Sequence, residues 1–157
     1  MMIISFTGQP NSGKTTLSLE LVHFLHEFRK DVTAVIIDGD YLRTITQNLD
    51  YSKEGRIKNI NYAKNLAINS DITNDYTIIS LVSPFRNLRE ELKNNSKHIV
   101  KEIYLHSSRI REGKMVDYYE PPLDNYLDIN TDMYTIQQSL KLVIDYIYES
   151  NCSNGQK

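Results

Sequence analysis

Between residues 3 and 22 the chain reads IISFTGQPNSGKTTLSLELV. Gly8, Gly13, Lys14 and Thr15 fall at the spacing G-x-x-x-x-G-K-[ST], with an apolar run before them and a helical pattern after. Such a loop has to aim consecutive backbone N–H groups at one anion, so glycine stands where a side chain would block the approach. Lys14 then reaches the β- and γ-phosphates, and the Thr15 hydroxyl is a ligand for Mg2+. A helix starting at Lys14 sets its positive end beneath the phosphates. Pro10, Asn11, Ser12 and Thr16 complete the nucleotide-contacting stretch. By average residue frequencies the pattern arises by chance in roughly one chain in two hundred of this size, and the strand-then-helix context lowers that further. The loop is read as a nucleoside triphosphate site.

The patterns around it alternate in period. Residues 2–7 form an apolar run suited to a strand buried on both faces, and Leu17, Leu21, Phe24, Leu25 and Phe28 then recur at helical spacing. Further strands are expected at 32–37, 76–82, 99–105 and 127–130. Helices are expected at 53–69, with Ile57, Ile60, Ala63, Ala67 and Ile68 inward, over the exposed LREELKNN, and at 135–148. In the last of these, Thr135 and Gln138 are spaced as a capping box, with Leu140, Val143, Ile144 and Ile147 inward. Strands alternating with helices imply an α/β chain: a three-layer P-loop nucleoside triphosphate hydrolase or kinase fold on a mainly parallel, five-stranded sheet. One domain over 1–150 is expected, with a lid-like loop at about 106–122 and a disordered tail at 151–157.

Composition removes several classes. At 157 residues and a net charge of −2, the chain has no basic field or basic-aromatic patch for a nucleic acid polymer. Its single cysteine, Cys152, excludes a disulfide framework within the chain and suits a reducing, cytoplasmic setting. No stretch approaches the ~20 apolar residues of a membrane span. His23, His26, His98 and His106 lack partners at metal spacing, so no structural zinc is expected.

The second strand runs into Asp38-Gly39-Asp40. That tripeptide is ordinary turn chemistry, but its place at the carboxyl end of a strand beside the phosphate loop favours function. Two carboxylates there can divide the work, one toward Mg2+ and one orienting or deprotonating an acceptor hydroxyl. The base-reading Asn-Lys-x-Asp of GTPases is absent from the sequence. A chain this short, holding little beyond the nucleotide fold, reads as a small-molecule kinase.

Further residues sharpen this. Asp38-Gly39-Asp40-Tyr41-Leu42-Arg43, Tyr51-Ser52 with Arg56 and Asn59, Val82-Ser83-Pro84-Phe85-Arg86, and Tyr119-Glu120-Pro121-Pro122 follow in order. In these motifs the sequence resembles the adenylylsulfate kinase family, from residue 3 to about 148. The resemblance implies ATP and Mg2+ as cofactors, a nucleotide acceptor (adenosine 5′-phosphosulfate), a place in sulfate assimilation and a homodimer. It implies that Arg43, Arg56 and Asn59 hold the acceptor's phosphosulfate and sugar, that Tyr51 packs on its base, and that Ser83, Pro84, Arg86 and Lys114 complete the acceptor site. Asp40 would activate the 3′-hydroxyl, and Asp38 with Thr15 would serve the metal. Ser83 matches a serine sometimes described as a phosphorylated intermediate; direct in-line transfer needs none. Arg109 or Arg111 would cover the ATP base.

The lid departs from the family. HSSRIREGKMVDYYEPP is far shorter than the family's insert and lacks its lysine-rich helix and its Phe-Thr-Gly-Ile piece. That phenylalanine stacks on the acceptor's adenine, and losing it removes about 1–3 kcal/mol of stacking unless Tyr118 substitutes. Two other readings stay open at this point: a kinase core with a different acceptor, such as cytidine diphosphoramidate, and a non-catalytic nucleotide-binding module.

Overall fold

The computed structural model describes residues 1–69, 74–109 and 113–149. Five strands pair in one sheet: β1 (Met2–Thr7), β2 (Ala34–Asp38), β3 (Tyr76–Ser80), β4 (Ile99–His106) and β5 (Tyr126–Asn130). Their order is β2-β3-β1-β4-β5, and every pairing is parallel. Between and after them run α1 (Lys14–Phe28), α2 (Gly39–Thr46), α3 (Lys53–Asn69), α4 (Arg86–Asn95) and α5 (Ile136–Glu149).

Alternation along the strands splits the apolar side chains between two faces. Ile4, Phe6, Ile78, Ile103, Leu105 and Ile129 meet Leu17, Leu21 and Leu25 of α1 and Val143 and Ile147 of α5. On the other face, Ile3, Ile37 and Ile79 meet Leu42 of α2, Ile60, Ala63 and Ala67 of α3, and Leu88 and Leu92 of α4. The three-layer architecture follows from this. The chain steps from β1 past β3 to β2, then returns through β3 and crosses to β4. The carboxyl ends of β1 and β3 therefore flank the point where the winding reverses, the usual place for a ligand in an open parallel sheet.

The expected elements form, with differences in detail. Phe28 lies 76% exposed at the end of α1, and Ile57 faces outward on α3 while Asn59 is buried. The third strand ends at Ser80, two residues early, as the chain turns in toward the phosphate loop. Helix α2 stands where a polar connection was expected: Asp38 caps it, its side chain accepting from the backbone N–H groups of Asp40 and Tyr41. Helix α4 is not simply exposed, since Leu88, Arg89 and Leu92 are buried. The capping box is present: Thr135 N–H donates to Gln138 Oε1 at 2.9 Å and Gln138 N–H to Thr135 Oγ1 at 3.2 Å. Among the described residues, no helix is long and apolar enough to cross a membrane. Residues 151–157 with Cys152, and Arg111, lie outside the described residues.

Candidate active site

The phosphate loop leaves β1 at Gly8 and enters α1 at Lys14, at the reversal point of the sheet. Two glycines are required there. A Cβ on Gly8 would stand 2.0 Å from the Leu105 carbonyl oxygen, and Gly13 has φ 97° at the start of α1. Asn11 also takes a left-handed conformation, with φ 70°. Behind the loop, the Thr131 hydroxyl lies 3.1 Å from the Ser12 carbonyl that accepts its bond. Lys14 is buried. Its Nζ donates to the Gln9 carbonyl at 2.7 Å and to Ser12 Oγ at 3.3 Å, so the lysine folds back over its own loop. Desolvation by burial pulls its pKa down to about 8, against the opposing pull of Asp40 and Asp38.

Beside the loop, Thr15 Oγ1 donates to Asp38 Oδ2 at 3.1 Å, while the other carboxylate oxygen of Asp38 caps α2. A hydroxyl and a carboxylate at this separation suit a small hard cation that keeps most of its waters. Among the described residues no group of three or more His, Cys, Asp or Glu side chains forms a metal site.

The loop opens into one cavity of about 650 Å³, within the usual range for ligand sites. Pro10, Asn11, Gly13, Lys14, Thr15 and Thr16 wall its phosphate end, and Asp38 and Asp40 stand at its middle. Arg43, Tyr51, Arg56, Asn59, Ser83 and Pro84 form the far wall, with Arg109, Lys114 and Tyr118 above. Gly8 and Ser12 do not line it; both are packed behind the loop. Arg86 also stands outside it. Its Nε donates to the Pro121 carbonyl at 2.8 Å and its backbone N–H to Glu120 Oε2 at 2.8 Å, which makes it a tie between α4 and the end of the lid. The sequence pairs Arg86 with the acceptor because it follows Ser83-Pro84, but the chain turns into α4 at that residue and carries the side chain away.

The far wall is pre-arranged. Arg43 is buried, and its Nη1 donates to the carbonyls of Asn48 and Asp50 at 2.9 and 2.7 Å. Burial draws its pKa below the ordinary range. Its guanidinium carbon lies 4.3 Å from the ring centre of Tyr51, and that of Arg56 lies 5.6 Å away. Two cations on one half-exposed ring leave a strongly positive wall. Asn59 Nδ2 donates to the Gly39 carbonyl over a long 3.4 Å, while its buried Oδ1 has no hydrogen-bond partner among the described residues. Leaving such a buried acceptor unpaired costs about 1–3 kcal/mol.

Val116, between β4 and β5, is clipped to the phosphate loop. Gln9 Nε2 donates to the Val116 carbonyl at 2.8 Å, and Val116 N–H donates to Gln9 Oε1 at 3.0 Å. The Tyr119 hydroxyl lies 2.8 Å from Thr7 Oγ1, and burial pushes its pKa well above the ordinary value. Tyr118 stacks on Phe85 at 5.6 Å and 20°. Arg109 Nη2 donates to Thr131 Oγ1 at 2.5 Å, and its Nε is 3.7 Å from Asp132 Oδ1. Sequence reasoning passed over Gln9, Thr131, Arg89 and Glu102. The visible signal for the last was a Lys-Glu pair inside an otherwise apolar strand, IVKEIYL.

A family model described as adenylylsulphate kinase matches residues 1–114, from β1 to eight residues past β4. The chain belongs to the adenylylsulphate kinase family. The adenylyl-sulfate kinase of Halothermothrix orenii is 28% identical, the match covering 95% of this chain and 90% of that protein. The enzyme of the same name from Gloeothece citriformis is 27% identical, with 90% of each covered. Among solved structures, the Mycobacterium tuberculosis APS kinase in complex with AMPPNP and APS superimposes with a TM-score of 0.74 at 21% identity, covering 93% of this chain and 96% of that one. At that identity the likeness speaks for the fold: this adenylylsulphate kinase family member is a P-loop protein with a wholly parallel sheet.

Proposed function

We propose that this chain is an adenylyl-sulfate kinase: it moves the γ-phosphate of ATP to the 3′-hydroxyl of adenosine 5′-phosphosulfate. The observation that carries the reading is the far wall. A nucleotide-hydrolysing module needs the phosphate loop alone, whereas here the cavity continues past Asp40 to Arg43, Tyr51, Arg56 and Asn59.

Each group has a role that its surroundings support. Lys14 exchanges its resting bonds to Gln9 and Ser12 for the β- and γ-phosphates, regaining full charge beside the anion. Thr15 and Asp38 would hold Mg2+, which when bound supplies positive charge to the phosphate oxygens. Asp40 accepts a hydrogen bond from the 3′-hydroxyl and takes its proton as the new O–P bond forms and the bond to the ADP oxygen breaks. With Nη1 engaged, Arg43 offers Nε and Nη2 to the phosphosulfate, and Arg56 adds a second cation. Asn59 Oδ1 accepts from the acceptor's ribose. Tyr51 packs on its base, Lys114 completes the acceptor side, and Arg109 covers the donor nucleotide. Ser83 stands in the floor and needs no covalent part.

A coupled ADP-release assay with ATP and Mg2+ tests this. Saturable turnover on adenosine 5′-phosphosulfate at micromolar concentration is expected. Silence there with activity on a cytidine or other nucleotide would overturn the acceptor, and silence on every acceptor would overturn transfer altogether.

A further inference from the structure

The least explained charges in the molecule lie under the far wall. Arg89 of α4 is 4% exposed and Glu102 of β4 is 1% exposed, yet neither lines the cavity. Arg89 Nε donates to Glu102 Oε1 at 2.6 Å, its Nη1 to the Ser83 carbonyl at 2.6 Å and its Nη2 to the Glu120 carbonyl at 2.5 Å. Lys93 Nζ lies 2.5 Å from the other Glu102 oxygen. Burial works against the charge on Lys93, but its bonds to Glu102 and Glu90 outweigh this and hold its pKa above the ordinary value. Glu102 thereby has a basic side chain beside each of its oxygens.

We infer that Arg89 is a positioning residue: it fixes the floor and the lid end of the acceptor half of the cavity to each other. This rests on the acceptor reading above. Three facts converge. Ser83 lines the cavity with φ 43°, a conformation uncommon for a serine, and Arg89 Nη1 holds its carbonyl. Glu120 follows the cavity-lining Tyr118 by two residues, and Arg89 grips its carbonyl too, while Glu120 N–H donates to the Pro84 carbonyl at 3.0 Å. The Arg89 guanidinium also lies 5.5 Å from the ring centre of Tyr119, whose hydroxyl bonds Thr7 at the base of the phosphate loop. A guanidinium presents donors in a planar fork, so one side chain can hold one carboxylate and two carbonyls at once. An ammonium cannot reproduce that geometry.

The variant Arg89→Lys keeps a cation opposite Glu102 while giving up the fork. The expected result is a rise of tenfold or more in KM for adenosine 5′-phosphosulfate, with KM for ATP within twofold and kcat within a few-fold. Amide exchange at Glu120 should accelerate by at least tenfold, with β1 and β4 unchanged. If Arg89→Lys folds poorly, the double variant Arg89→Met with Glu102→Gln removes the buried charges together and should show the same split. Equal loss of affinity for both substrates, or exchange that is unchanged or uniformly faster, would reduce Arg89 to fold support and overturn the inference. Should the unaltered protein be inert on adenosine 5′-phosphosulfate, the acceptor reading fails by itself. The exchange pattern then decides Arg89: local acceleration at Glu120 sustains it, and its absence overturns it.

Discussion

Lys14 is held where its own charge is weakened, and that has a measurable consequence. With a pKa of about 8 in the free protein, it is mostly charged at neutral pH and loses its proton as pH rises past 8. Only the charged form attracts a triphosphate, and a bound triphosphate raises the pKa again. ATP affinity should therefore be flat below pH 7.5 and fall toward tenfold per pH unit above 8, as read by calorimetry. Lys14→Arg, which stays charged, should flatten that profile. At Asp40, replacement by alanine should leave the ATP dissociation constant within about twofold and lower kcat by about 10²–10⁴; strong residual turnover would remove Asp40 from the mechanism. Asn59 offers the opposite balance. Since its Oδ1 is buried and unpaired, Asn59→Leu should change stability by no more than about 1 kcal/mol in a denaturant titration, while raising the acceptor's KM.

At the scale of elements, local chemistry explains what was readable. Helix α5 announced itself by Thr135 and Gln138 because a capping box is built from neighbours three residues apart. Thr135→Ala should lower stability by about 1 kcal/mol in thermal unfolding and leave turnover unchanged, since α5 serves only the core. Helix α2 gave no such signal: it is eight residues long, and Leu42 is its only buried apolar side chain, so no period could show. Arg89 was read as part of a solvated face because charged residues on helices usually are. Its partner lies 13 positions away on β4, and only the packing of α4 against the sheet brings them together. Arg86 was misplaced for a related reason, a motif's order being visible where a helix start was not. By contrast, Gly13, Lys14 and Thr15 of the phosphate loop line one cavity with Asp38, Asp40, Arg43, Tyr51, Arg56 and Asn59, all on connections that leave the same rim of the sheet.

At the scale of the molecule, the parallel sheet gathers the phosphate loop and the far wall at one rim, so binding in the cavity adds to the stability of the whole fold. A non-hydrolysable ATP analogue at 100 times its dissociation constant should add about 2.7 kcal/mol and raise the melting midpoint by about 5–11 °C for a chain of this size. The shift should shrink in Lys14→Ala. The same register has a practical side. Met2, Tyr76 and Ile99 are aligned at the opposite rim, and Ala34 pairs with Tyr76. The first residue thus stands about 20 Å, one strand length, from the phosphate loop. A chain tethered to a sensor chip through Met1 would present its open cavity to the flow, ready for both nucleotides.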